Sequence, residues 1–302
     1  MTQANPKFKN TAGAILAVIA SSLLAITNIG APSLYEAGSN PATILMLRAF
    51  ITAASIGLIL MLTGNLQKLA TKDEIHCIVS GFLFMFVGFG LFTALAVSPV
   101  STVILLLYVY PLLTTVIESV IIRRFPDLRT VLLMLLALVG LGLALDVVAT
   151  DINPFGVSMA LMAAVGVAST LVWNSRKLAH VDAEQITFRM FCVNSIVFLG
   201  YVLYLGNFQM PTGGNSSLIL IILLICFAFA FPAFFRAVQM AGPVRTAMIM
   251  NLEPVISILL SVIILKEMIS TLQTLGAILV IAAVIISQIV VRRNDAEAVS
   301  QT

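Results

Sequence analysis

Charged residues are scarce in this sequence. Only 10% of its 302 residues are charged, whereas 60% are hydrophobic, and the mean hydropathy is +1.11. Soluble enzymes and disordered tail proteins carry far more charge, so both classes are excluded. With roughly 30 residues for each bilayer crossing and its connection, the length fits about ten helices and leaves little for an extramembrane domain.

The sequence also lacks the motifs that mark catalytic and metal sites. It contains no His-Glu-x-x-His, no Gly-x-Ser-x-Gly and no phosphate-binding loop. The two histidines, His76 and His180, are far apart, and Cys77, Cys192 and Cys226 lie singly in apolar runs, so neither a disulfide framework nor a metal site is predicted. We therefore expect no enzyme activity, no cofactor, no metal and no nucleic-acid partner.

Apolar runs of 18 residues or more, broken at charges and at Gly, Pro and Asn clusters, predict ten membrane-spanning helices. The helices are expected over residues 12–34, 41–63, 75–97, 100–122, 128–149, 155–175, 184–205, 216–239, 244–265 and 270–291. The fold class is therefore predicted to be all-α, a polytopic membrane protein.

Lysine and arginine are concentrated in alternate connections between these helices. Short connections rich in these residues stay in the cytoplasm, so both termini are predicted to be cytoplasmic. The segments placed in the cytoplasm hold Lys7, Lys9, Lys68, Lys72, Arg123, Arg124, Arg129, Arg176, Lys177, Arg236, Arg245, Arg292 and Arg293. The connections on the other side hold only Lys266. Loop orientation also explains the net charge of +3 better than an anionic partner does.

The two halves of the chain resemble each other at an offset of about 143 residues. Three matched segments keep their order: Leu47-Arg48-Ala49-Phe50 with Phe188-Arg189-Met190-Phe191, Pro99-Val100-Ser101-Thr102 with Pro243-Val244-Arg245-Thr246, and Tyr110-Pro111 with Glu253-Pro254. We divide the chain into repeats at residues 1–150 and 151–302. Because five helices is an odd number, the second repeat is inverted relative to the first, which is characteristic of secondary transporters.

Glu253 is the strongest candidate for a functional residue. It lies near the middle of a predicted span, where an ionised carboxylate costs several kcal/mol unless it is paired, hydrated or protonated. Pro254 removes a backbone donor and favours local unwinding, and Pro111 does the same after Tyr110. Asn251 and Tyr110 therefore join Glu253 as candidate site residues. The alternative is that Glu253 clamps a neighbouring helix as half of a buried hydrogen-bonded pair.

Arg48 and Arg189 lie about two turns inside their helices, and inversion places them at opposite faces of the membrane. Each is a candidate to bind an anionic substrate group, or to pair with a carboxylate in one conformational state only. A structural role, with the side chain reaching the surface, is the alternative. Glu118 is a weaker candidate, because it is expected to pair with Arg123 or Arg124 nearby.

Asn28 and the pair Trp173-Asn174 interrupt apolar helices at roughly equivalent places in the two halves. We predict that they face a cavity. Trp173 has a second interpretation as an anchor at the membrane interface.

The segment Asn251-Leu252-Glu253-Pro254-Val255, followed by Leu265-Lys266-Glu267 and then by Gln273 and Gly276, resembles the second-repeat signature of the EamA family. This family of ten-helix carriers belongs to the drug/metabolite transporter superfamily. The resemblance covers essentially the whole chain, and Arg48 matches an arginine typical of helix 2. In the first repeat, Tyr110 stands where glutamate often precedes proline.

The resemblance implies a central cavity lined by helices 1–4 and 6–9, with helices 5 and 10 as supports and alternating access by rocking of the halves. It implies a bacterial inner-membrane exporter of a small metabolite, with an amino acid or similar amphipathic solute as the first expectation. Glu253 would carry a proton or pair with an ammonium group. A gradient-driven exchanger of a larger charged metabolite or drug is the alternative, and a membrane scaffold or intramembrane enzyme is the third.

The expected partners are accordingly a small-molecule substrate, protons and the lipid bilayer. The protein is expected to be a monomer or a weak homodimer.

Overall fold

The computed structural model describes residues 6–95, 97–98, 100–146, 153–266, 268 and 270–300, with side chains described except at residues 6–9, 92, 265 and 290–300. Some residues used in the sequence predictions lie outside this part of the chain. They are the repeat boundary at 150 and 151, Pro99, Glu267, and the side chains of Lys7, Lys9, Arg292 and Arg293.

The described residues form helices and no strands. The helices are α1 (Pro6–Glu36), α2 (Pro41–Leu62), α3 (Thr71–Leu95), α4 (Val100–Leu107), α5 (Tyr110–Ile122), α6 (Leu128–Ala144), α7 (Pro154–Lys177), α8 (Ala183–Leu205), α9 (Ser216–Ala241), α10 (Pro243–Met250), α11 (Leu252–Leu260) and α12 (Thr271–Ser300), with a π-helical segment at Ser261–Leu265. Within the described residues, nine helical stretches are long and apolar enough to cross a membrane, and α6 is a shorter apolar helix of 17 residues. The predicted ten-helix, all-α membrane architecture is confirmed.

Two of the ten spans are broken in the middle, and each break stands four residues before a proline. α4 ends at Leu107, four residues before Pro111, and α10 ends at Met250, four residues before Pro254. A proline has no N–H to bond the carbonyl four residues earlier, and its ring clashes with that carbonyl. The two prolines therefore account for both breaks, and each break frees polar backbone in the middle of the bundle.

The helices pack in pairs that exchange under inversion of the repeats. In chain order, α1 corresponds to α7, α2 to α8, α3 to α9, and α6 to α12. The most extensive contacts join α1 to α9 and α3 to α7, which are equivalent pairs, and α2 to α8 and α6 to α12, which are each equivalent to themselves. This pattern is expected of two inverted repeats around a pseudo-twofold axis.

α6 and α12 approach each other closely because glycine lies on both sides of their contact. A Cβ atom at Gly276 would collide with the backbone of Ala144 and Gly140. Small residues allow such close packing between membrane helices, where dispersion contacts stabilise association. The two helices thus form a tightly packed pair.

The connections between successive spans lie alternately at two ends of the bundle. One end, which we term the basic end, carries connections 63–70, 123–127 and 178–182 and the α9–α10 junction at Gly242. The opposite end carries connections 37–40 and 206–215.

Candidate functional site

Glu253 lies where the two helix breaks meet. It occupies the first turn of α11, directly after the break at Asn251. Its Oε1 accepts a hydrogen bond from Nδ2 of Asn28 on α1 at 2.8 Å. The Tyr108 hydroxyl, which belongs to the break between α4 and α5, donates a second hydrogen bond to the same carboxylate. The carboxylate belongs to the second repeat, and both of its side-chain donors belong to the first repeat.

The site is open on one side. Asn28 is exposed and Glu253 is half-buried, whereas Tyr108 is buried behind them. A carboxylate at this depth needs hydrogen bonds or a hydrated cavity, and Asn28 and Tyr108 supply hydrogen bonds.

Tyr110 and Asn251 stabilise the breaks and do not contact Glu253 by hydrogen bonds. The Tyr110 hydroxyl lies 3.5 Å from the carbonyl oxygen of Ala247, which links α5 to α10 across the repeats. The Asn251 Nδ2 donates to the Met248 carbonyl oxygen at 3.1 Å, so it satisfies a carbonyl near the end of α10. Both side chains are buried. Tyr110 and Asn251 therefore stabilise the two helix breaks next to Glu253.

Arg48 lies in the same region without a carboxylate partner. Its guanidinium stands over the Phe227 ring, 5.1 Å from the ring centre, and one Nη atom lies 3.5 Å from the Thr27 carbonyl oxygen. It is close enough to Glu253 for an electrostatic attraction, but no ion pair within 4.0 Å joins the two among the described residues. Its buried Nε has no hydrogen-bond partner in the described part of the chain. One buried donor of Arg48 is thus left unsatisfied by the described residues.

A cluster of aromatic rings adjoins Arg48. Phe227 and Phe231 on α9 have ring centres 4.8 Å apart, and Phe231 also packs against Phe191 of α8 and Phe84 of α3, each at 5.1 Å. These rings belong to the buried core, and no motif in the sequence singles them out. Sequence reasoning missed Tyr108, although the place of Tyr108 three residues before Pro111 puts it in the unwound turn.

Arg189 is the repeat-equivalent of Arg48, and its surroundings differ. Its Nε lies 2.8 Å from both carboxylate oxygens of Glu74 at the start of α3. Its two Nη atoms donate to the Gln185 Oε1 at 2.6 Å and to the Gln67 carbonyl oxygen at 2.7 Å. Its hydrogen-bonding capacity is largely used within the protein. The structure therefore assigns Arg189 to a contact between the repeats at the basic end.

Ion pairs at the basic end join the first repeat to the second. In the described residues they are Glu118 with Arg176 and Glu74 with Arg189, and the His180 Nε2 also lies 3.2 Å from an Asp73 carboxylate oxygen. The expectation that Glu118 pairs with Arg123 or Arg124 is wrong, because its side chain points to α7 and bonds Arg176 there. These contacts tie α5 to α7, α3 to the α7–α8 connection, and α3 to α8.

Neutral hydrogen bonds join the repeats at the opposite end. The Thr212 amide donates to the Ala37 carbonyl oxygen, the Ser39 hydroxyl donates to the Gln209 carbonyl oxygen, and the Asn40 Nδ2 donates to the Asn207 carbonyl oxygen, each at 2.8 Å. The two repeats are therefore joined by ion pairs at the basic end and by neutral hydrogen bonds at the opposite end.

Trp173 and Asn174 lie near the basic end of α7. The Trp173 indole N–H donates to the His76 carbonyl oxygen at 3.1 Å, and its ring packs edge-on against the His76 ring. Asn174 is buried, and its amide makes no hydrogen bond within the described residues. The structure does not bring either residue into bonding contact with Glu253. In the described part of the chain, no cluster of three His, Cys, Asp or Glu side chains is suited to a metal ion.

The arrangement brings a carboxylate, a guanidinium and a buried cluster of aromatic rings into one region of the bundle. Glu253 and Arg48 are not neutralised by direct contact with each other, so each retains the capacity to bind an opposite charge. Charge-assisted hydrogen bonds of this kind are shorter and stronger than neutral ones. The site therefore suits a small molecule with polar, ionised ends and an apolar part.

Comparison with known proteins identifies relatives of the whole chain. The family model described as the EamA-like transporter family matches residues 11–145 and 154–288, one match in each half. No curated protein matches the sequence. Among solved structures, one crystal structure of a protein is similar with a TM-score of 0.76 and 19% identity, over 94% of this chain and 98% of that chain. At this identity, the likeness shows the fold alone.

Proposed function

Because the chain belongs to the EamA-like transporter family of multi-pass membrane proteins, we propose that it is a secondary transporter that exports a small metabolite by alternating access. The first candidate is an amino acid or a similar amphipathic solute. The observation that carries the proposal is that Glu253, at the break before α11, and Arg48, on α2, attract each other electrostatically without forming an ion pair within 4.0 Å among the described residues. We place the protein in a bacterial inner membrane.

Recognition in this proposal uses charges at two points. An ammonium group of the substrate binds Glu253 and competes with the hydrogen bonds from Asn28 and Tyr108. An anionic group binds the unpartnered Nε of Arg48, and the apolar part of the substrate packs on Phe227 and its neighbours. The site is polar in the middle of the bundle, where unsatisfied charge is costly, so substrate binding relieves that cost.

Coupling to protons follows from competition at one carboxylate. Glu253 holds either a proton or the substrate ammonium group, and exchange of one for the other links the two movements. Alternating access then exposes Glu253 to each side in turn, as the two repeats rock around the site. The basic end is placed in the cytoplasm by the positive-inside rule, so its ion pairs open when the substrate enters from the cell.

A second candidate function is exchange of a larger, charged metabolite or drug along its own gradient. The lack of a carboxylate partner for Arg48 favours it, because an anionic substrate would be held there without any role for protons. A non-transporting scaffold is the weakest candidate, since charged groups in an open site at the middle of an inverted repeat serve no purpose in a static protein.

Transport by the purified protein in sealed liposomes distinguishes these functions. A panel of labelled amino acids and drug-like cations and anions is tested with and without a pH gradient, and with and without unlabelled solute inside. We expect saturable flux of an amphipathic solute that rises with the pH gradient. Flux that rises only with internal solute would support the exchanger, and stable retention of a protein partner without flux would support the scaffold.

The variant Glu253→Gln tests the role of the carboxylate. Glutamine keeps the size of the side chain and one acceptor oxygen but cannot exchange a proton at neutral pH, so the stimulation by the pH gradient should disappear while the protein still folds. Glu36→Gln is the matched control, because it removes the same charge from an exposed position at the end of α1. Unchanged stimulation in Glu253→Gln would remove this residue from the coupling.

A further inference from the structure

Unpaired arginines are concentrated in one hairpin at the basic end. Elsewhere at that end, the arginines with described side chains have partners: Arg176 with Glu118, Arg189 with Glu74, Arg236 with Asp182, and Arg245 with Gln288. In contrast, the arginines around the α5–α6 connection are exposed and form no ion pair with any described carboxylate; they are Arg123, Arg124 and Arg129. The one acidic residue among them is Asp127, so this hairpin carries a net positive charge.

The backbone turns sharply where α5 ends. Arg123 adopts a left-handed conformation with φ of 54°, and the Arg124 amide donates to the Ser119 carbonyl oxygen at 3.1 Å. This C-terminal cap folds the two arginines back around the last turn of the helix. Phe125 follows with its side chain fully exposed. The turn thereby places two cations and one aromatic ring at the end of a membrane-spanning helix.

A groove of about 380 Å³ runs from these arginines along the outside of α5. Its deeper wall is aliphatic and belongs to the preceding turns of the helix, where Val116 is 53% and Val120 is 71% exposed. Val120 and its neighbours lie within the span Val100–Ile122 and face away from the protein, so the surrounding bilayer covers them. The groove is thus apolar at membrane depth and cationic at its mouth.

We propose that this groove binds an anionic phospholipid, with the phosphate at Arg123 and Arg124 and an acyl chain along Val116 and Val120. Charge complementarity selects the head group, because arginine binds phosphate through paired donors and these arginines have no competing carboxylate partner. The exposed Phe125 ring lies at the level of the head groups, where aromatic side chains are favoured in membrane proteins. A soluble anion would leave the aliphatic half of the groove unexplained.

The lipid site is joined to the substrate site by one helix. α5 begins at Tyr110, beside the break that holds Tyr108, and ends at the hairpin that holds the two arginines. A lipid held at the hairpin therefore contacts the same rigid segment whose other end shapes the Glu253 site. Binding of the lipid does not depend on what the protein transports.

Retention of lipid by the purified full-length protein tests this site. The protein is exchanged into detergent with equal amounts of phosphatidylglycerol and phosphatidylcholine that have the same acyl chains, and bound lipid is counted by native mass spectrometry. We expect preferential retention of phosphatidylglycerol. In Arg123→Gln/Arg124→Gln its apparent affinity should fall roughly 25-fold, about fivefold for each arginine near an anionic lipid.

Two further variants distinguish lipid binding in this groove from non-specific electrostatic attraction of anionic lipid to the basic end. Lys68→Gln/Lys72→Gln removes the same charge at the basic end from residues that do not line the groove, and it should leave retention within about twofold of the unaltered protein. Val116→Trp fills the groove without changing charge and should also reduce retention. This variant leaves the arginines in place, so it tests the groove even if the double arginine variant folds poorly.

Three outcomes would overturn the proposal. They are equal retention of the two lipids by the unaltered protein, a loss in Lys68→Gln/Lys72→Gln as large as in the arginine variant, and full retention in Val116→Trp. Transport in liposomes is measured separately, so failure of the lipid site and failure of the proposed transport function give different results.

Discussion

Replacing Arg189 with glutamine should loosen the contact between α3 and α8 at the basic end. The Arg189 side chain is 11% exposed, and its Nε lies 2.8 Å from both oxygens of Glu74, whose side chain is 36% exposed. Its other nitrogens donate to Gln185 and to the carbonyl oxygen of Gln67. Glutamine is too short to replace all of these bonds.

The free energy lost in Arg189→Gln depends on how far the ion pair between Arg189 and Glu74 is exposed to solvent. A hydrogen bond to a charged group contributes about 1.5–3 kcal/mol. Because Glu74 is about one-third exposed, solvent screening lowers the contribution of the ion pair to about 1–2 kcal/mol. That free energy corresponds to a roughly 5- to 30-fold increase in the fraction of molecules in which this contact is open.

Cys77 provides a native probe of that opening. It is fully buried on α3, one turn after Glu74, and packs against Leu178, Val181 and Ile186 of the second repeat. With Cys192 and Cys226 replaced by alanine, the rate at which a maleimide modifies Cys77 reports how often the two repeats separate here. We expect this rate to rise 5- to 30-fold in Arg189→Gln, in line with the free energy above.

Two comparisons decide whether the ion pair is responsible. Glu74→Gln should accelerate modification as much as Arg189→Gln, and the double variant should add little, because both changes remove the same interaction. Arg236→Gln breaks an exposed pair with Asp182 inside the second repeat and should have no effect. An unchanged rate in Arg189→Gln, or an equal acceleration in Arg236→Gln, would refute the assignment of this pair as a contact that holds the basic end together.

Two other predictions concern packing and recognition. Gly276→Ala should lower the melting temperature of the purified protein by an amount that corresponds to about 1–3 kcal/mol, since its Cβ would collide with the backbone of Gly140, whereas Gly200→Ala, which has open space around it, should be neutral or slightly stabilising. Equal behaviour of the two variants would contradict the close approach of the helices. Arg48→Gln should raise the KM for an anionic or zwitterionic substrate about 10- to 100-fold through loss of a charged hydrogen bond, with a smaller rise in Arg48→Lys; a KM within twofold of the unaltered protein would show that the anion binds elsewhere.

The spans and the family could be predicted because they depend on local composition and on short motifs. Apolar length identifies membrane helices directly, since the bilayer fixes how many residues a span needs. The family resemblance found around Asn251-Leu252-Glu253-Pro254-Val255 is confirmed by the match to both halves of the chain. The positions of the helix breaks also follow from local chemistry, because a proline acts on the carbonyl four residues before it.

The partners of the polar side chains depend on tertiary packing, which is why the prediction for Glu118 was wrong. Arg123 and Arg124 follow Glu118 by five and six residues and lie beyond the end of α5 at Ile122, where the backbone turns left-handed and leaves the helix. Arg176 belongs to α7, which packs against α5 across the repeats. No pattern near Glu118 indicates that contact. The bond between Tyr108 and Glu253 is hidden from sequence for the same reason.

Arg48 and Arg189 occupy equivalent positions in the two repeats but have different interaction partners. The two ends of the bundle therefore differ in the contacts that join the repeats. α3 begins with Asp73 and Glu74, and these residues contact His180 and Arg189 of the second repeat. The offset between the repeats places two serines, Ser216 and Ser217, at the equivalent positions in α9, so Arg48 has no counterpart of the Arg189–Glu74 ion pair.

The same backbone arrangement thus gives ion pairs at the basic end and an unpaired guanidinium beside the site. Charged hydrogen bonds contribute about 1.5–3 kcal/mol and neutral ones about 0.5–1.5 kcal/mol, so the empty protein should favour the state in which the basic end is held together. A ligand shifts such an equilibrium only by its difference in affinity for the two states. In the proposed transport cycle, substrate binding at Arg48 and Glu253 supplies that difference, and the serines at the start of α9 leave Arg48 without a competing ion pair there.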